Sequence, residues 1–131
     1  MLDYARQRAI DALKIPRTAV LVTNGPAGVA AGMFPCEALD LNLYLLVPQT
    51  SDHLFNLEHD PNVTLLTPGW QMKGAARVVP PNAPNLGLQL LREPGAEWCV
   101  LVRVDPWQMH IGREKGWGAL ETIDLQPHKQ R

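Results

Sequence analysis

Short runs of alternating apolar residues, a turn signal after almost every run, and helical periodicity only in brief stretches predict a mainly β protein. The expected fold is an antiparallel barrel carrying two or three short helices. Most of the six or seven expected strands are joined by turns too short for the crossover helix that parallel pairing requires. The chain of 131 residues fits a single domain, read here as residues 1–131. Its 46% of hydrophobic residues suffice for one core.

The elements follow in order. Tyr4, Ala5, Ala9, Ala12 and Leu13 recur near a 3.6 period, with Asp3 as a cap, so residues 3–14 read as a helix that Pro16 ends. Arg17 to Thr23 reads as a strand, Asn24-Gly25-Pro26-Ala27-Gly28 as a turn, and Val29 to Phe34 as the returning strand. A polar turn is expected around Glu37 to Asp40, then a mostly apolar strand from Leu41 to Val47, closed by Pro48. Ser51 opens a short helix with Leu54 and Leu57 on one face, and Asp60-Pro61-Asn62 breaks it. Val63 to Thr67 and Trp70 to Val79 read as strands joined at Pro68-Gly69. In the second, Trp70, Met72, Gly74, Ala76 and Val78 share one face, and Gln71, Lys73, Ala75 and Arg77 the other. A two-turn helix over Asn85 to Arg92 is expected next. A strand over Trp98 to Val104 then turns at Asp105-Pro106 into Trp107 to Ile111, leaving a tail from 112 to 131 of little periodicity.

Charge narrows the function. Twelve Lys+Arg against thirteen Asp+Glu give a net charge of −1, without the basic footprint of a nucleic-acid or anionic-membrane binder. No apolar run reaches the roughly 20 residues that span a bilayer. The N-terminus lacks a signal-peptide pattern, so a cytoplasmic location is expected. Cys36 and Cys99 are too far apart in sequence for a paired motif and read as thiols, Cys99 as a core filler. The four histidines show no ligand spacing, and the common nucleotide-binding and hydrolase motifs are absent, so no metal is expected.

Three segments carry chemistry. Pro48-Gln49-Thr50-Ser51-Asp52-His53 leads from a strand into a helix start, where unpaired N–H groups favour a phosphate. Thr50 and Ser51 offer hydroxyls, and His53 a cation if its pKa is raised. A plain N-cap at Ser51 with Asp52 on the helix dipole explains the same residues. Trp70, Gln71 and Lys73, followed by Gly74, suit the edge of a flat polar ring; equally, Trp70 suits a core with Gln71 and Lys73 in solvent. Trp107, His110 and Trp117 form a late aromatic group that needs cover from another element or another subunit.

The order of these segments, from about Arg17 to Ile111, resembles the pyridoxamine 5′-phosphate oxidase-like family of FMN-binding split barrels. After its third strand that family often reads Ser-x-Lys-x-x-Asn-Leu, then Asp/Asn-Pro-x-Val. Ser51, Asn56, Leu57, Asp60, Pro61 and Val63 match, while His53 stands in the basic position and Gly32 to Cys36 holds no Arg or Lys. The resemblance implies a six-stranded split barrel, a homodimer, and FMN in each of two intersubunit grooves, with the 112–131 tail against the partner. It places phosphate near Thr50, Ser51 and His53. It lays the isoalloxazine along Val29–Phe34 and Leu43–Val47, with Met33 and Pro48 among its contacts. Trp70, Gln71 and Lys73 then lie near the flavin, and Trp107 reaches the partner's site. The implied activity is that of an FMN-dependent oxidoreductase without an assigned catalytic acid or base. The alternatives are a cofactor-free ligand-binding dimer on the same barrel, or deazaflavin or haem in place of FMN, with His110 the strand histidine suited to haem.

Overall fold

The computed structural model describes residues 3–83, 86–112 and 120–125. Helix α1 spans Asp3–Lys14, followed by strands β1 (Thr18–Thr23), β2 (Ala30–Leu39) and β3 (Asn42–Pro48). Helix α2 (Asp52–His59) leads to β4 (Asn62–Leu66) and β5 (Trp70–Val78). Two 3₁₀ turns, Gln89–Arg92 and Ala96–Trp98, precede β6 (Cys99–Gly112) and β7 (Leu120–Asp124). All strand pairs are antiparallel, in the order β3-β2-β1-β4-β5-β6-β7. Because β3 also pairs with β6, the first six strands in that order close into a barrel, and β7 lies outside it on β6.

Closure follows from side-chain alternation. Leu21, Leu43, Leu45, Leu65, Met72, Val102 and Val104 point inward and are buried. β3 is apolar on both faces for a reason. Its inward Leu43, Leu45 and Val47 join the core, while outward Tyr44 and Leu46 are covered by Leu88 and Leu90 of the segment before β6. The Glu37 carboxylate accepts from the Leu90 N–H at 2.7 Å and holds that cover in place. α1 lays Ala9, Ala12 and Leu13 on the barrel, and the Trp70 indole N–H donates to the Ala12 carbonyl at 2.9 Å.

Several expectations are corrected. β2 continues through the presumed polar turn to Leu39, pairing Cys36 with Leu45 and Leu39 with Asn42; the reversal falls at Asp40, whose φ is 57°. Tyr4 lies off the buried stripe of α1 and is exposed. The helix expected over Asn85–Arg92 reduces to the 3₁₀ turn at Gln89, within the described residues. Trp98 sits in a turn rather than in a strand, and Cys36, not Cys99, is the buried thiol. Asp105-Pro106 does not turn the chain. β6 runs straight on, taking up Trp107 as an extra residue in a bulge opposite Lys73 and Gly74. The apparent tail contains β7, in which Ile123 alternates inward and Glu121 binds Arg8 of α1 at 2.7 Å. Trp117 and His128 lie outside the described residues.

The bulge explains Gly74. A Cβ there would stand 2.6 Å from the Asp105 carbonyl oxygen, a backbone atom that cannot rotate away. Gly74→Ala is therefore expected to cost about 1–3 kcal/mol, the range for overpacking. Urea denaturation checks this; unchanged stability would contradict the close approach.

Candidate functional site

Helix α2 packs against β1 and lays Leu57 on the core, and its first turn presents the segment singled out in the sequence. Ser51 is its N-cap: the Ser51 hydroxyl accepts from the His53 N–H at 3.1 Å, and the Ser51 carbonyl accepts from the Leu54 N–H. Asp52 is exposed on the same turn. Thr50 is exposed, and Pro48 is paired to Cys99 at the end of β3. The Gln49 N–H donates to the Trp98 carbonyl at 3.0 Å. That bond places a tryptophan 70% exposed beside the Pro48–Ser51 loop. Trp98 is the residue that sequence reasoning missed, because an apolar run was read as one strand beginning at Trp98.

His53 faces inward. The residue is only 5% exposed, and its ring meets Phe34 edge-on at 5.2 Å between centroids. Thr23 Oγ1 lies 2.9 Å from His53 Nδ1 and accepts from Asn56 Nδ2 at 3.0 Å. Asn56 spends its second amide hydrogen on the Gly28 carbonyl, and its Oδ1 accepts from the Ala27 N–H. The Thr23 hydroxyl has a second lone pair and its own hydrogen, so its hydrogen bond with Nδ1 runs in the direction that the ring's tautomer sets. Nε2 faces Gly32 of β2, where a Cβ would come within 3.2 Å of it. Burial pulls the His53 pKa below the ordinary histidine value, partly opposed by Asp52.

The second group sits on the outer wall. Trp70 turns into the core, whereas Gln71 and Lys73 point outward; Trp70 and Gln71 still meet at one small cavity, which Lys73 does not line. Register carries an outward row across the sheet, from Met33 through Val20 and Leu66 to Gln71, His110 and Thr122. A second row runs from Ala31 through Val22 and Thr64 to Lys73 and Gln108. Met33 is 66% exposed, and Val20, Val22 and Leu66 are half-buried. A cavity of about 180 Å³ opens at Leu66, Gln71 and His110. Trp107 is half-buried, and its carbonyl accepts from the Leu125 N–H.

The donors available to a flavin phosphate at α2 are neutral. They are the Thr50 and Ser51 hydroxyls and the Asp52 N–H, with a carboxylate beside them. They fit a phosphate by hydrogen bonding, without a cation. Among the described residues no cluster of three His, Cys, Asp or Glu could hold a metal, and no helix is long and apolar enough to cross a membrane.

Solved structures share this architecture. A Clostridium acetobutylicum protein related to general stress protein 26 of B. subtilis, of the pyridoxinephosphate oxidase family, superimposes with a TM-score of 0.68. It is 11% identical, over 95% of this chain and 97% of its own. The fold is that of the pyridoxamine 5′-phosphate oxidase-like split barrel. A FAD-binding protein of Mesorhizobium loti has the same split barrel, with 13% identity, coverage of 83% and 92%, and a TM-score of 0.57. So does HutZ, the haem storage protein of Vibrio cholerae, with 17% identity, coverage of 82% and 89%, and a TM-score of 0.57. No protein-family model matches the chain, and no curated protein matches it.

The buried neutral histidine predicts a pH dependence. Its folded pKa lies below the unfolded reference of about 6.5, so the unfolded chain binds more protons in that region. The stabilisation is present above about pH 6.5 and is lost as pH falls toward the folded pKa. His53→Asn keeps an acceptor for Thr23 without titrating. Its thermal midpoint is expected to fall less than the parent's between about pH 7 and pH 5. Parallel curves for the two proteins would contradict a neutral buried ring.

Proposed function

We propose that this split barrel is a cytoplasmic flavin-binding, oxidoreductase-like protein that acts as a homodimer and holds FMN in a groove between subunits. The exposed Trp98, hydrogen-bonded through its carbonyl to Gln49 beside Thr50 and Ser51, carries this reading. An indole left in water next to an exposed hydroxyl loop is suited to cover a flat ring whose phosphate ends on that loop. The FAD-binding protein with the same fold supports the class of ligand. Thr50, Ser51 and Pro48 are assigned to the phosphate end. Met33, Gln71, Lys73 and Trp107 are assigned to the ring and the partner-facing wall. His53 and Trp70 act from behind as positioning residues, His53 by fixing α2 and Trp70 by fixing α1. When bound, FMN supplies the hydride or electron chemistry. The chain's own residues bind it, orient it and exclude water.

The apolar outer wall supports the dimer. Met33, Val20, Val22 and Leu66 form a continuous patch on adjacent strands, of the kind pairing covers. Haem is the second reading. The His110 Nδ1 is engaged by Thr122 at 2.9 Å, an arrangement that orients Nε2 outward for a metal, on the wall that holds the small Gln71 cavity.

Three proteins test the proposal by flavin titration: the parent, Trp98→Ala and Asp52→Asn. Trp98→Ala is expected to weaken FMN by about tenfold, the scale of an aromatic contact plus its lost area. Asp52→Asn is expected to strengthen FMN several-fold and leave riboflavin unchanged, because only FMN brings a phosphate to the carboxylate. Unaltered affinities in both variants would remove the site from this loop. A Soret band on haem addition, lost in His110→Ala, would favour the second reading.

A further inference from the structure

Away from the Met33 row, on β3, β6 and β5, three outward positions stand side by side on adjacent strands. Tyr44 of β3 pairs with Arg103 of β6, and Arg103 pairs with Arg77 of β5. Like charges directly opposite on neighbouring strands repel, and nothing in barrel closure requires them. All three line a cavity of about 390 Å³, walled by Val78, Val79 and Leu86. That volume lies in the range of small-molecule sites. It continues into a second cavity of about 520 Å³ that shares Val78, Val79 and Leu86 and adds Leu91 and Leu101, with Gln49 and Glu97 also among its lining.

Two further observations point to a ligand. Tyr44 is only 4% exposed, yet its hydroxyl has no hydrogen-bond partner among the described residues. A hydroxyl that lines the cavity and has no protein acceptor is available to donate to a ligand there. The charges are also unequal. Arg103 Nε donates to Asp105 Oδ1 at 2.9 Å, and Asp105 accepts from Asn42 as well, whereas Arg77 has no ion-pair partner among the described residues. Two guanidinium groups against one carboxylate leave one net positive charge at the polar end of an apolar gallery.

We propose that this cavity binds an organic monocarboxylate with an extended apolar body, such as a medium-chain fatty acid. The carboxylate would lie between Arg77, Arg103 and the Tyr44 hydroxyl, with the chain along Val79, Leu86 and Leu101. Arg77 supplies the unpaired charge, Tyr44 a neutral donor, and Asp105 keeps Arg103 oriented. The inference is independent of the flavin proposal, which rests on the Trp98 loop.

Calorimetric titration of the full chain with octanoate tests it, with octanol as the uncharged counterpart. One saturable octanoate site per chain is expected, with octanol at least about tenfold weaker, the scale of one charged hydrogen bond. Arg77→Gln is expected to weaken octanoate by a similar factor, and Tyr44→Phe, which keeps the ring, by several-fold. Without ligand, Arg77→Gln should melt no lower than the parent, because it removes a repulsion. Absence of saturable octanoate binding, equal affinity for octanol, or an undiminished affinity in Arg77→Gln would overturn the proposal. Displacement of octanoate by FMN but not by riboflavin would also overturn it, by assigning the arginines to a flavin phosphate.

Discussion

The structure depends on one buried polar contact, in which Asn56, Thr23 and His53 fasten helix α2 to the barrel. Asn56 is fully buried and at once bonds Thr23 at the end of β1 and both Ala27 and Gly28 of the following turn. Removed from water, each of those groups costs free energy unless it is partnered, so only one placement of α2 satisfies them together. That placement fixes where β3 hands over to the helix. The Pro48–Ser51 loop is therefore held from both sides, by Ser51 as the cap of α2 and by the Gln49 bond to Trp98.

This contact explains why a short motif can mark the fold without marking a ligand. Ser51 caps α2, Asn56 fastens the turn, Leu57 and Val63 are buried, the Asp60 carboxylate accepts from the Asn62 N–H, and the Pro61 carbonyl accepts from the Ala76 N–H. Every matched residue has a structural task. The same fold occurs in proteins named for FAD and for haem, so the fold alone does not select the ligand.

Strands with clean alternation, such as Trp70 to Arg77, were legible from sequence because inside and outside alternate one residue at a time; Val78, read on the inward face, is exposed at the strand's end. So was the apolar β3, although its cause, cover on both faces, required the Leu88–Leu90 segment to be seen. What stayed hidden depended on distant partners. β7 shows only a brief alternation around Ile123, and its place is set by pairing with β6 and by Arg8. The bulge at Trp107 let β6 pass through Asp105-Pro106, a dipeptide that reads locally as a turn. At the site, Ser51 was legible as a cap, but the inward rotation of His53 depends on Thr23, thirty residues earlier. The exposure of Trp98 depends on a turn that its apolar neighbours disguise.

The central claim is that a flavin sits between two copies of this barrel. Its most direct measurement is gel filtration of the FMN-incubated protein, with light scattering and visible absorbance read on the same peak. The account predicts a dimer mass with one flavin per chain travelling in that peak. A monomer, or a dimer peak from which the flavin absorbance separates, would contradict it.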